Sequence, residues 1–409
     1  MIIITDLEEQ LLGRIENMRD EIIKFHQEIV KIHSENPPSK YKEVAKFVEK
    51  KMQEIGLETS IKRNNVIGKL NKGEGSTLIF NGHFDTVEAF KGWSKDPFGA
   101  EIVGDKIYGR GASDDKASVT AEIFAIQALL EAGIDLNGKL IVTAVGDEET
   151  GGLRGAEYLL SNELVSGDAC LLGDAANGYP FGYCGGTMYI TITIKGKTAH
   201  GLAFPDLPPP FRNENSGINA IERMVKVMNF LLELKKELLE KPTNYPTSDG
   251  WGSNVSSINL AEIHGGTKIT TVPDRCYLHL SVNTIPEQDV ASIKKRLLEF
   301  VEKMKEKDPD LDISVQIPIA LEPQVIDESS DFAKIVQKVA EKIHGEKREF
   351  KTLMPSTDAH WFQERGIPTI LIGASAKDNN IHAEDEFVYI KDLMDLVKMF
   401  ALTALNYLK

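Results

Sequence analysis

The chain reads as an α/β protein with a mixed sheet, interrupted by a ferredoxin-like insert, and three observations predict this. Short β-branched runs at residues 76–81, 140–144 and 170–172 alternate with helical patterns. After Gly185-Gly186 the texture changes to a cleanly alternating run over residues 188–194, the pattern of a strand with one exposed face. From there to residue 318 the elements follow the order βαββαβ, a split βαβ unit. At roughly 150 residues per domain, 409 residues leave room for two or three domains.

Taken in order, Leu11, Ile15, Met18, Ile22, Phe25 and Ile29 recur at helical spacing and predict one helix over residues 7–32, ended by Pro37-Pro38. A second helix spans 42–55, closed by Gly56 at its C′ position. Residues 65–70 and 76–81 read as strands, the latter buried on both faces and ending at Gly82. The run 106–108 reads as the next strand, breaking into Gly109-Arg110-Gly111 before a long apolar helix over 118–132. In the insert, a proline-rich loop at 205–210 precedes a helix over 217–240, strands over 254–263 and 276–282, a helix over 290–305 and a strand over 313–318. Helix and strand then alternate again at 332–343, 369–372 and 390–405. The main domain is therefore expected in two pieces, 1–186 and 321–409, around an insert at 187–320.

Composition excludes several classes of protein. Acidic residues outnumber basic ones 62 to 47, for a net charge of −15, so no basic stripe for nucleic acid is expected. Cys170, Cys184 and Cys276 stand far apart, which fits neither a disulfide scaffold nor a CxxC knuckle and suits a reducing compartment. Asp6, Glu8 and Glu9 soon follow Met1 to Ile4, leaving no signal-peptide pattern, and no 18-residue apolar stretch occurs. The expectation is a cytoplasmic protein without a membrane partner. GRGAS and GGLRG lack dinucleotide-loop spacing, and neither GxxxxGK[ST] nor a Gly-x-Ser-x-Gly elbow is present.

The chemistry gathers at strand ends. His83 and Asp85 follow the buried run in LIFNGHFD; residues two apart there point the same way, at the edge where α/β sheets bind ligands. Asp114 and Asp115 lie in GRGASDDK, where Gly109 and Gly111 permit turns that bring a carboxylate inward. Glu148 and Glu149 follow the strand in AVGDEETGG and Asp174 follows another in LLGDAANG, while His382 in NNIHAEDEF precedes the last helix. Inward carboxylates need a cation. Two histidines with three carboxylates suit zinc and its borderline neighbours, and a shared carboxylate would place two ions roughly 3.5–4 Å apart. The pattern predicts a two-metal hydrolase.

These motifs carry a resemblance to the M20 zinc metallopeptidases, the group of acetylornithine deacetylase, succinyl-diaminopimelate desuccinylase, aminoacylase-1 and glutamate carboxypeptidase. It runs from NGHFDTV and WSKDPFGAEI through GRGASDDK and GDEETGG to PSTDAHWF and IHAEDEF. The resemblance implies a zinc-exopeptidase-like catalytic domain with a lid or dimerisation insert. It implies His83 and Asp174 on one ion, Glu149 and His382 on the other, Asp114 bridging, and a cis peptide between Asp114 and Asp115. Asp85 would orient His83. Glu148 would be the general base, and His200 in IKGKTAHG would stabilise the oxyanion from a neighbouring copy of a homodimer or on domain closure. The cofactors implied are two Zn²⁺ per subunit, with Co²⁺ or Mn²⁺ as substitutes. The implied substrate is an N-acyl amino acid; carboxypeptidase or dipeptidase action on short peptides is the second enzyme reading, and a metal-dependent binding protein without turnover the third.

The chain departs from that family where arginine would fork a substrate carboxylate. Cys184 stands in FGYCGG, Ser281 and Asn283 in HLSVNTIP, and His360 closes the stretch Thr357-Asp358-Ala359-His360. Asn254, Arg275 and His360 are the candidates for a rearranged substrate clamp. His26 and His33 read as surface or packing residues.

Overall fold

A computed structural model describes residues 6–174, 176, 178–208, 211–248, 253–354 and 357–409. The expectations on Met1 to Ile4 and on Pro209-Pro210 lie outside them. The chain divides into two compact units, Met1–Gly182 with Ile326–Lys351 and Thr357–Lys409, and Tyr183–Val325 with Thr352–Ser356.

Four parallel strands form the centre of the first unit's sheet: Lys139–Val145, Thr77–His83, Ala169–Gly173 and Thr369–Ile372. Antiparallel strands Asn65–Asn71 and Glu58–Lys62 extend one side, and Phe181–Cys184 pairs on the other. Thr77–His83 is buried from Leu78 onward because helices cover both faces. Phe80 meets Phe400 of helix Ile390–Tyr407 edge-on, centroids 4.8 Å apart, and Gly82 abuts Ser118 of helix Lys116–Glu131. Asn81, pointing the opposite way, reaches Asp358 at the start of helix Ala359–Gln363. Helix Lys116–Glu131 is buried from Lys116 to Leu129, so its sequence is apolar nearly all round.

One expectation is corrected. The single helix over residues 7–32 is two, Asp6–Asn17 and Arg19–Val30, parted at Met18 (φ −92°, ψ 2°). Ile15, Met18 and Ile22 all stay buried, so the apolar spacing runs through the break and conceals it. The run Lys106–Tyr108 is a strand, as expected, and it joins Phe387–Tyr389 and Ile102–Val103 in a separate three-stranded sheet. Three residues carry too little pattern to say with which strand they pair.

The second unit holds the expected βαββαβ order. Strands Thr187–Lys195, Ser257–Gly265, Arg275–Asn283 and Asp312–Leu321 form one antiparallel sheet, in which the first lies between the third and the fourth. Met188, Ile190, Ile192 and Ile194 turn to a core shared with helices Ala220–Leu239 and Val290–Lys307. Pro318 is tolerated because Asp312–Leu321 is an edge strand whose register shifts between Gln316 and Ile319. Among the described residues no helix is long and apolar enough to cross a membrane, and all three cysteines are buried and outside any disulfide.

Candidate metal centre

The parallel strands deliver their functional residues to one edge. His83 ends its strand, Asp174 follows Ala169–Gly173, and Glu148 and Glu149 open a 3₁₀ turn, Glu148–Thr150, just beyond Lys139–Val145. That turn is entered through Asp147 in the left-handed conformation (φ 79°), whose carboxylate accepts from Thr150 Oγ1 (2.9 Å) and the Arg154 N–H (2.8 Å). It leaves through Gly152 (φ 70°), where a side chain would meet Trp361 and Asp358. The small sheet supplies the rest, since pairing of Phe387 with Tyr108 sets the segment after His382 beside the loop that carries Asp114.

Among the described residues, one ligand atom each from His83, Asp114 and Glu149 lie within 4.8 Å of one another. The two oxygens of Asp114 face different histidines: Oδ1 is 3.1 Å from His83 Nε2, and Oδ2 is 3.2 Å from His382 Nε2. His382 Nε2 is also 3.2 Å from Glu149 Oε2, and the other Glu149 oxygen is buried without a hydrogen-bond partner among the described residues. Asp174 is buried at the strand end beside this cluster without joining its tightest group. Glu148 Oε2 stands 4.0 Å from His83 Nε2. The peptide bond between Asp114 and Asp115 is cis.

Asp85 is fully buried and organises two ligand segments together. Its Oδ1 lies 3.4 Å from His83 Nδ1 and accepts the Glu148 N–H (3.3 Å); Oδ2 accepts the Glu149 N–H (3.3 Å) and Asn36 Nδ2 (3.0 Å). His83 Nδ1 also lies 3.0 Å from the Asp85 carbonyl, so Nδ1 carries the proton and Nε2 is turned to the cluster. Asn36 reaches Thr150 Oγ1 as well (3.0 Å).

Charge at the site is concentrated and partly uncompensated. Burial opposes protonation of His83, yet its bonds to Asp114 and Asp85 and the Glu148 charge hold the imidazole well above its usual range. His382 is pushed up to about 10 by its bonds to Asp114 and Glu149. Burial, followed by the Asp174 charge, drives Glu148 well above the usual carboxyl range, and burial with the Asp114 charge raises Glu149. Asp114 is driven below the usual range, against burial, by both histidines. Protons on the two imidazoles thus stand among converging carboxylates where divalent cations would satisfy the same groups. A donor set of imidazole and carboxylate with an orphaned buried oxygen fits zinc or a borderline neighbour.

The other predicted residues are not members of the tight group of His83, Asp114 and Glu149. His360 is fully buried on Ala359–Gln363, with Nδ1 at 3.2 Å from the Thr357 carbonyl. In the second unit His200 is exposed, and its Nδ1 accepts the N–H groups of Leu202 and Ala203 (3.3 Å each), which leaves the proton on Nε2 as an outward donor. Asn254 and Arg275 are both exposed, but Asn254 precedes the start of Ser257–Gly265, where that strand pairs with Asn283, and Arg275 lies at the far end of the same ladder. At about 3.3 Å per residue, these two do not meet in one copy of the chain. Cys184 is buried, and Asn283 accepts the Thr187 hydroxyl.

Three contributors were not singled out from the sequence: Asn36, Arg110 and Glu386. The signal available for the last two was charge inside motifs already under suspicion, GRGAS and IHAEDEF; for Asn36 there was only its place before Pro37.

The chain belongs to peptidase family M20/M25/M40, whose model matches residues 79–406. It is 30% identical over 347 residues to an acetylornithine deacetylase of Aliivibrio salmonicida, covering 82% of this chain and 84% of that one. It is 27% identical over 417 residues to an N-formyl-4-amino-5-aminomethyl-2-methylpyrimidine deformylase of Halalkalibacterium halodurans, covering 95% of each. A crystal structure of human carnosine dipeptidase 1 shares the fold with a TM-score of 0.73 at 18% identity, covering 98% of this chain and 99% of that one. The protein is a metal-dependent hydrolase of amide or peptide bonds.

Proposed function

We propose that the chain is a dinuclear amidohydrolase, with two Zn²⁺ per subunit, that removes an acyl group from the nitrogen of a small molecule, N-acyl amino acids being the leading class. The observation that carries this reading is Asp114, whose two oxygens each face a different histidine. His83 and Asp174 would hold one ion, Glu149 and His382 the other, with Asp114 between them. Two such ions supply polarisation of the amide carbonyl and a water of lowered pKa. The chain's own part is proton handling and placement. Glu148 takes a proton at its carboxylate and returns it to the departing amine, and the raised affinity for protons that burial gives it suits that task. Asp85 fixes the tautomer of His83 and holds the turn bearing Glu148 and Glu149. His200, as an Nε2–H donor, fits the oxyanion partner supplied within a homodimer. Three buried cysteines outside any disulfide support the cytoplasm as its compartment.

A second reading, an N-formyl or N-acyl amine without a carboxylate, is favoured by two observations. The deformylase aligns over 95% of both chains, and the positions where arginine would fork a carboxylate hold buried Cys184, buried His360 and Asn283 engaged with Thr187. The test loads the protein with Zn²⁺ or Co²⁺ and follows amine release from N-acetylornithine, N-succinyl-diaminopimelate, N-acetylmethionine, several dipeptides and an N-formylaminomethylpyrimidine, with a chelated control. Release from the N-acyl amino acids bears out the leading reading; release from the formylated pyrimidine alone selects the second. Cleavage of dipeptides alone makes the chain a peptidase, and two bound ions with no turnover anywhere make it a binding protein.

A further inference from the structure

Outside the ligand set, Glu386 is, like Asp85, a buried carboxylate near the centre with four partners; it is 1% exposed and lies four residues beyond His382. Its Oε1 accepts the N–H groups of Ser113 (3.0 Å) and Asp114 (3.1 Å), and its Oε2 accepts the Gly111 N–H (3.1 Å) and the Arg110 guanidinium. Arg110, also 1% exposed, donates a second bond to the Ala383 carbonyl (3.0 Å), one residue past His382. The Glu386 carbonyl in turn accepts the Gly109 N–H (2.8 Å). These bonds fasten residues 109–114 to residues 383–386.

The fastening matters because neither segment itself lies in a helix or strand, and the pairing of Phe387 with Tyr108 reaches only one end of each. His382 lies at φ 60° between Asn380 (φ 55°) and Asp385 (φ 56°), and Asp114 sits in a turn ahead of helix Lys116–Glu131. Both side chains must nevertheless reach one point, with 3.2 Å between His382 Nε2 and Asp114 Oδ2. We infer that Glu386 is a positioning residue of the metal centre: its carboxylate sets Asp114 and His382 in register for two ions, and Arg110 is the counter-charge that lets it do so while buried. This rests on the dinuclear reading. A buried carboxylate filled by four donors is rigid, whereas one stripped of a donor or acceptor loses that rigidity at the ligands it aims.

The test compares wild type with Glu386→Gln and Arg110→Lys. Gln keeps the shape but replaces one acceptor oxygen by a donor amide, and Lys keeps the charge but loses the fork that also binds Ala383. Zn²⁺ affinity is measured by chelator competition, the absorption spectrum of the Co²⁺-loaded protein is recorded, folding is checked by circular dichroism, and kcat and KM are determined on the substrate found active. Wild type is measured first; fewer than two ions per chain overturns the dinuclear reading and this inference with it. With two ions bound by wild type, the expected result is a folded E386Q whose affinity for at least one ion is lower by about 10–100-fold, with an altered Co²⁺ spectrum and a fall in kcat at near-constant KM. R110K should show the same change in smaller measure. A folded E386Q with wild-type affinity and spectrum overturns the inference and leaves the dinuclear reading standing. Should E386Q fail to fold, R110K decides, and wild-type metal affinity in folded R110K overturns the inference.

Discussion

Asp85 touches His83, Glu148, Glu149 and Asn36 through a single carboxylate, and an amide there supplies one acceptor oxygen where the turn needs two. Asp85→Asn should therefore lower both metal affinity and kcat by about 10–100-fold, read by metal analysis after dialysis and by steady-state kinetics; unchanged values would remove Asp85 from this role. Glu148 is the contrasting case, since it borders the centre without belonging to its tight cluster. Glu148→Gln should keep full metal content while kcat falls by about 10²–10⁴-fold, and full activity in that variant would exclude it as the base. Most of the acidic and histidine candidates were legible in the sequence because they follow a recognisable interior strand or sit in a glycine-braced motif, and His382 because the stretch IHAEDEF resembles a family motif. Asn36 was not, because its role depends on where a loop after two short helices lies, and nothing in its neighbours encodes that place.

Elements carry consequences of their own. Helix Ala220–Leu239 begins at Asn219, whose side chain accepts the N–H groups of Ile221 (3.0 Å) and Glu222 (3.2 Å). Asn219→Ala should cost the second unit about 1 kcal/mol, seen as a lower thermal midpoint with unchanged metal stoichiometry. In helix Arg19–Val30, His26 is fully buried against Thr120, and burial lowers its pKa to about 3 from 6.5. Between those values the unfolded chain binds a proton that the folded chain refuses, so this contribution to stability is complete above pH 6.5 and is lost as pH falls toward 3. His26→Gln should flatten the pH dependence of unfolding free energy between pH 4 and 6, by up to about 1.4 kcal/mol per pH unit. Equal slopes for the two proteins in denaturant titrations would refute the assignment. The helix boundaries show the limit of reading by period: residues buried on both sides of Met18 keep the apolar spacing intact, so one long helix and two short ones share a pattern.

For the molecule as a whole, metal is expected to join the segments Met1–Gly182 and Thr357–Lys409 of the first unit. Chelation should abolish activity and lower the thermal midpoint, with Zn²⁺ or Co²⁺ restoring both; an ion at a thousand times its Kd adds about 4 kcal/mol to folding stability. A chelated protein with an unchanged midpoint and activity would contradict it. The sequence by itself determined the α/β architecture, the βαββαβ order of the insert, the acidic character and the set of candidate ligands. Those properties are written in local terms: apolar period, glycine at turns, and residue chemistry next to each strand. Only the tertiary structure decided that Asp114 faces a histidine with each oxygen, that Asp85 binds the turn of Glu148 and Glu149, that Glu386 ties residues 109–114 to the His382 segment, and that Asn254 and Arg275 lie at opposite ends of a ladder. The physical reason is that these depend on strand pairing between segments far apart in the chain, and a short strand such as Lys106–Tyr108 carries no record of its partner.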